Sequence, residues 1–210
     1  MALKIGHGGR DVISPIRENL IFMSNYVDFL TGEKTDNFYY GYLVKDASEL
    51  GTLWKTLFTS KTSDSGYIQL KNSWTKEVDV DFDFTITAER LIHGTARVNG
   101  KWNQGTNVGD DTYGYVIVKL IRDDGSNESI ICTTQSETYH VSSPGTHVTT
   151  DVNFDLLMDV AKTELKPGEI LRLTIELWAK ADYTDEANKI KLFYDGSKHV
   201  EIPFARLDEY

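Results

Sequence analysis

The sequence predicts a mostly β protein: an antiparallel two-sheet sandwich, jelly-roll-like, with one short helix. Three observations lead there. Apolar and polar residues alternate over Lys76–Thr87 and again over Leu171–Leu177, the period of strands with one buried and one wet face. Turn dipeptides and tripeptides such as Asn99-Gly100, Asp123-Asp124-Gly125 and Pro167-Gly168 punctuate the chain at short intervals. No βαβ rhythm and no internal repeat of fixed period occurs. With 210 residues, 40% hydrophobic and 11% aromatic, the chain can close one core without disulfide staples. The expected organisation is an extended N-terminal arm over residues 1–20 and a single β-sandwich domain over residues 21–210.

The arm contains Gly6, Gly8, Gly9 and Pro15 and has no apolar period. Ile13, Ile16, Leu20, Ile21 and Phe22 follow closely and need burial, which a neighbouring subunit would supply. Phe38–Lys45 is rich in β-formers and reads as a strand. From Asp46 to about Ser60, Leu50, Leu53, Trp54 and Leu57 fall on one helical face, and this is the expected helix. Ser60–Gly66 reads as loop. In Lys76–Thr87, Val78, Val80, Phe82, Phe84 and Ile86 point one way and Asp79, Asp81, Asp83 and Thr85 the other. A strand at Gly94–Val98 is expected to end in a type I′ turn at Asn99-Gly100 and fold back toward Trp102. Residues 103–112 read as loop. Tyr113–Arg122 and Glu128–Thr134 form a hairpin about Asp123-Asp124-Gly125. Val148–Met158 and Glu169–Ala179 are strands, with a type II turn at Lys166-Pro167-Gly168-Glu169. Ile190–Tyr194 and His199–Phe204 complete the set, separated by Asp195-Gly196.

The search for chemistry returns no catalytic, cofactor-binding or metal-binding residue, and no cofactor; the chain is expected not to be an enzyme. His7, His93, His140, His147 and His199 include no pair at metal-ligand spacing, although His140 and His147 flank one loop. Asp79, Asp81 and Asp83 resemble the start of a calcium loop, but Phe84 stands where the turn glycine is needed and Arg90 where the closing Glu belongs. Asp110-Asp111 and Asp123-Asp124-Gly125 are explained by turn chemistry. Ser73-Trp74-Thr75-Lys76 matches an S-x-x-K motif whose companion motifs are missing. Cys132 is the only cysteine; it lies in the apolar run Ile130-Ile131-Cys132 with no cation beside it and reads as a small hydrophobe. Trp74, Trp102, Tyr113 and Tyr115 cluster around turns, as core caps or interface anchors, with stacking on sugar rings as the alternative.

The net charge is −10, most of it in the second half of the chain, so nucleic acid is not an expected partner. No apolar run reaches the length of a membrane span. The N-terminal MALKIGHGGRDV has no apolar signal region, from which synthesis in a cytoplasm is expected. Asn127-Glu128-Ser129 then reads as a chance glycosylation sequon.

The C-terminal part carries a family pattern. Lys166-Pro167-Gly168-Glu169 leads into Ile170–Leu173 and Ile175-Glu176-Leu177-Trp178-Ala179-Lys180, followed by Lys191-Leu192-Phe193-Tyr194-Asp195 and Val200-Glu201-Ile202-Pro203-Phe204. This stretch resembles the closing strands of β-sandwich domains in structural proteins of tailed-virus particles, where a PGE-strand-Trp-Ala segment pairs with a strand ending in L-Y/F-x-D. The resemblance implies a bacteriophage virion component, such as a capsid decoration, turret, neck or tail part. Its partners would be itself, as a homo-oligomer, and other virion proteins. The alternative is a carbohydrate-binding β-sandwich module with a glycan as partner.

Overall fold

The computed structural model describes residues 38–45, 51–54, 65–193 and 195–205. Twelve strands lie among them: β1 (Phe38–Lys45), β2 (Gly51–Trp54), β3 (Ile68–Gln69), β4 (Thr75–Thr85), β5 (Arg90–Thr106), β6 (Asp111–Asp123), β7 (Glu128–Gln135), β8 (Tyr139–Ser142), β9 (Val148–Leu165), β10 (Ile170–Ala181), β11 (Lys189–Phe193) and β12 (Asp195–Ala205). The hydrogen-bonded order is β3-β11-β5-β12-β1-β2-β4-β10-β6-β7, with β8 on β6 and β9 on β5. Every pairing is antiparallel except the short parallel contact of Gly51 and Thr52 with Phe82 and Asp83.

This ladder doubles back so that two antiparallel sheets pack face to face as a sandwich. One layer is built on β9, β5, β11 and β12, the other on β4, β10, β6 and β7, and β1 and β2 carry the ladder between them. The core is what the alternation predicts. Val78, Val80 and Phe82 from β4, Val116, Val118 and Leu120 from β6, and Leu171, Leu173, Ile175 and Leu177 from β10 face Ile92, Ala96 and Val98 from β5, Phe154, Met158 and Val160 from β9, and Ile190 and Leu192 from β11. Burying each such aliphatic side chain stabilises the fold by about 1.5–3 kcal/mol. The Lys166–Glu169 turn forms as expected, with Gly168 at φ 90° and the Glu169 amide donating to the Lys166 carbonyl at 3.1 Å.

Four expectations need correction. Of the helix expected from Asp46 to about Ser60, residues 51–54 are described, and they are strand β2, paired with β1 from Tyr42↔Trp54 to Lys45↔Gly51. Gly51 and Thr52 are poor helix formers, and the ladder partner decides. The Asn99-Gly100 turn does not exist: β5 runs straight through it, with Asn99 opposite Asp155 and Gly100 opposite Phe154. The glycine is needed for space instead, because a Cβ there would lie 2.0 Å from Cζ of the Phe154 ring. Residues 103–106, expected as loop, belong to the same strand. Finally, β10 and β11 do not pair: β10 lies between β4 and β6, whereas β11 pairs with β5 and β3 in the other layer. The expected arm over residues 1–20 lies outside the described residues.

Candidate functional site

Strand β10 organises the outer face of its layer. Because Leu171, Leu173, Ile175, Leu177 and Ala179 fill the core, Arg172, Thr174, Glu176, Trp178 and Lys180 project outward between β4 and β6. The half of this face nearest Arg172 is ionic. Arg172 donates to both oxygens of Asp83, at 2.7 and 3.1 Å, and also binds Glu128. The Thr174 hydroxyl donates to Asp81 at 2.5 Å. Glu176 accepts from Lys119 at 2.6 Å and from Lys76 at 3.3 Å, and Lys76 also binds Asp79. At the turn end, Arg122 grips Glu169 with both arms, at 2.9 and 2.5 Å. That grip holds the Glu169 carboxyl below the usual carboxylate range, and burial works against it. The carboxylates of Asp79, Asp81 and Asp83 are thus committed to Lys76, Thr174 and Arg172. Lys76, the lysine of the S-x-x-K match, is held in its charged form by Asp79 and Glu176, against the effect of burial.

The other half of the face is aromatic. Trp178 and Tyr115, directly opposite in register, lie parallel to within 2° with ring centroids 6.3 Å apart. Trp74, at the entry to β4, leans on Tyr115 at 4.9 Å. Tyr113 stacks on His140 of β8 at 4.7 Å. Lys180 places its ammonium 4.6 Å from the Tyr113 ring centre and 5.7 Å from that of Trp74. His140 Nε2 is 3.0 Å from Asp111 Oδ1. Hydrogen bonds from Ser142 and His140 hold the Asp111 carboxyl below its ordinary value, and burial opposes them. Of the four aromatics singled out in the sequence, three therefore meet here. Trp178, Lys180 and His140 join them only through the register of β6, β8 and β10, which no local signal reveals.

Trp102 is elsewhere. It is buried in the core, packs on Phe154 at 5.9 Å and Tyr139 at 6.5 Å, and donates its indole N–H to Gln104 at 3.1 Å. Gln104 in turn donates to Thr112 of β6 at 3.0 Å, so a polar link crosses from β5 to the opposite layer. Trp102 floors a cleft of about 390 Å³ between residues 135–139 and residues 152–156, with Tyr139 and Phe154 as walls and Glu137 and Asn153 at the rim.

The remaining candidates are dispersed. His147 Nδ1 lies 2.7 Å from the Thr106 carbonyl, and His93 is exposed on β5. His7 lies outside the described residues, and His199 pairs through its backbone with Tyr42. Asp110 accepts from Asn188 at 2.9 Å; Asp123 and Asp124 accept backbone N–H groups of their own turn at 2.8–2.9 Å. Burial pushes the Cys132 thiol up to about 11, so it is not a ready nucleophile. Among the described residues, no three His, Cys, Asp or Glu side chains converge as metal ligands.

No protein-family model matches the chain, and no curated protein matches it either. Among solved structures it is similar to a CocE/NonD family hydrolase from Staphylococcus aureus, with a TM-score of 0.51 and 16% identity over 80% of this chain and 37% of that one. An α-amino acid ester hydrolase matches with a TM-score of 0.49 and 12% identity over 79% and 36% of the two chains. A structure of infectious bursal disease virus matches more weakly, at a TM-score of 0.37 and 12% identity over 78% and 42%. At these identities the likeness is one of fold, and the chain spans little more than a third of the hydrolases' length. One correction follows. The expectation that the chain is not an enzyme rested on missing motifs, and it does not stand, because a CocE/NonD family hydrolase carries a domain of this fold within its length.

Proposed function

We propose that this chain is a structural component of a virus particle, acting through self-association and contacts with other particle proteins. The observation that carries the reading is the residue pattern of the C-terminal segment, which resembles β-sandwich proteins of tailed viruses in sequence although its two strands lie in different layers and do not pair. That segment is not peripheral: Lys166–Glu169 forms the turn, and Ile170–Ala181 is an inner strand of one layer, paired with β6 along its whole length and with β4 from Ile170 to Ala179. The surface supports the reading. Ile130 on β7 and Leu157 on β9 are 61% and 63% exposed, two large aliphatic side chains on strands that each have a single ladder partner among the described strands. Repetition in a closed assembly would cover such strands. The arm expected over residues 1–20 belongs to the same proposal as a second contact device.

The test is solution mass by light scattering, for the full chain and for the double variant Ile130→Asp/Leu157→Asp, with thermal unfolding as a control of folding. The expected result is a discrete oligomer that dissociates in the variant without a loss of melting temperature. Deleting residues 2–12 is expected to weaken association further. A full-length chain that stays monomeric at high concentration and does not co-sediment with virus particles would overturn the reading.

A further inference from the structure

We propose that the aromatic half of the β4–β10–β6–β8 outer face is a glycan-binding ledge that takes pyranose rings, centred on Trp74, Tyr115 and Trp178 with Lys180 at its side. The inference does not depend on the assembly reading, because it rests on a different part of the surface. Its starting point is the placement of the rings. Trp and Tyr bury large apolar areas when they face a core, and here Trp74, Tyr113, Tyr115 and Trp178 stand on the solvent side of a layer whose core side is already filled by Val116, Leu177 and Ala179. Trp74 keeps 40% of its surface exposed.

The chemistry around the rings selects the occupant. A pyranose has a C–H face that packs on a π face and a rim of hydroxyls that needs donors and acceptors. The half-buried Trp178 and Tyr115 rings lie parallel to each other, and Trp74, tilted 54° against Tyr115 and 40% exposed, supplies the π surface that solvent reaches. The rim is polar on both sides. Lys180 and His140 with Asp111 stand on one side, and Lys76 with Asp79 and Glu176 on the other. The Lys180 ammonium, 4.6 Å from the Tyr113 ring centre and 5.7 Å from that of Trp74, carries three N–H donors at the edge of the ledge. The rim sets two lysines against three carboxylates, in a protein whose net charge is −10, so the ledge suits a neutral polyhydroxylated ligand better than a polyanion. A protein partner is the less favoured occupant. Its footprint is ordinarily about 800 Å² with an apolar centre, whereas here three rings are hemmed in by charged side chains.

The experiment titrates the full chain with cellohexaose, maltohexaose, xylohexaose, mannohexaose and oligogalacturonate, following tryptophan fluorescence and calorimetry. Trp74→Ala and Lys180→Ala are the ledge variants. Tyr67→Phe is the control, since Tyr67 is an exposed ring beneath Lys189 and Lys191 on the other layer. Unfolding curves show that each variant folds. The expected result is saturable binding of at least one neutral hexasaccharide, weakened about ten-fold or more by Trp74→Ala, measurably by Lys180→Ala, and not at all by Tyr67→Phe. Three results would overturn the proposal: no binding to any of the five, binding that survives both ledge variants, or a Trp74→Ala variant that loses self-association while no sugar binds. The last would make the ledge a protein contact.

Discussion

Replacing Gly100 by Ala tests the packing of the sandwich at one atom. A methyl there would meet the Phe154 ring at 2.0 Å from Cζ and 2.4 Å from Cε1, distances no carbon pair tolerates. Something must move, and the neighbour that gives is the ring. Phe154 is 5% exposed and packs on Trp102, so its displacement disturbs the floor of the cleft as well. Overpacking of this kind costs about 1–3 kcal/mol, and full ejection of the ring sets a ceiling at the Phe→Ala cost of about 3–5 kcal/mol. The expected loss for Gly100→Ala is therefore about 2–3 kcal/mol, or a melting temperature lower by roughly 4–12 °C for a chain of this size. The sign carries the argument, because an unstrained Gly→Ala change in extended backbone stabilises by about 0.4–1 kcal/mol through the unfolded chain. Urea unfolding of Gly100→Ala, Phe154→Ala and the double variant forms a cycle. In the Phe154→Ala background the alanine is expected to be neutral or stabilising. An alanine that costs nothing with Phe154 present, or costs as much with it gone, would refute the reasoning.

Two further outcomes are expected. Arg172→Met leaves Asp81, Asp83 and Glu128 facing one another without their cation, at a site where Arg172 is 17% exposed; discounting for the exposure of its partners, the cost is about 2 kcal/mol by urea unfolding, and Asp83→Asn in the same chain should recover part of it. The glutamates Glu169 and Glu77 should respond to pH in opposite senses. Glu169 is held below its ordinary value chiefly by Arg122, so the stability it contributes is complete above the usual carboxylate range and is lost as pH falls through its lowered pKa; Glu169→Gln should flatten that acid limb. Glu77 has a buried oxygen with no hydrogen-bond partner among the described residues, and burial raises its pKa, with Lys71 in partial opposition. Its contribution is complete below the ordinary value and is lost as pH rises through the raised one, so Glu77→Gln should unfold at higher urea than the parent at neutral pH and level with it in acid. Chevron midpoints across a pH series read both.

Much of the fold was legible wherever one face is buried and the other wet. The Asp79-Val80-Asp81-Phe82-Asp83 run and the Leu171–Leu177 run place every side chain on the correct face. Signals with two physical meanings misled. Asn99-Gly100 has the composition of a tight turn, but glycine is also the residue that lets a ring from the next strand lie on the backbone, and only the Phe154 partner distinguishes the two. Leu50, Leu53, Trp54 and Leu57 fit a helical face, yet Gly51–Trp54 adds to a ladder, since the pairing strand outweighs a weak local propensity. The short strands Ile68–Gln69 and Tyr139–Ser142 carry too few residues for a period and were missed. The candidate site was half visible. Trp74, Tyr113 and Tyr115 stand out as aromatics near turns, but Trp178 and Lys180 reach them across the ladder from more than 60 positions away along the chain, and Trp102, buried in the core, looked in the sequence as though it belonged with them.

The way the ladder changes layers has a mechanical consequence. Hydrogen bonds join the two sheets along the β12–β1–β2–β4 side, whereas β7 and β8 approach β9 on the other side without a ladder between them among the described residues. The molecule is in effect a clamshell with a stitched hinge and an unstitched lip. Prising the lip apart strips side-chain contacts around Trp102, Tyr139 and Phe154 and leaves the rungs intact, while prising the hinge breaks rungs first. Load applied across the sandwich is therefore borne unequally according to its direction, and any slow breathing of the two sheets should begin at the mouth of the Trp102 cleft.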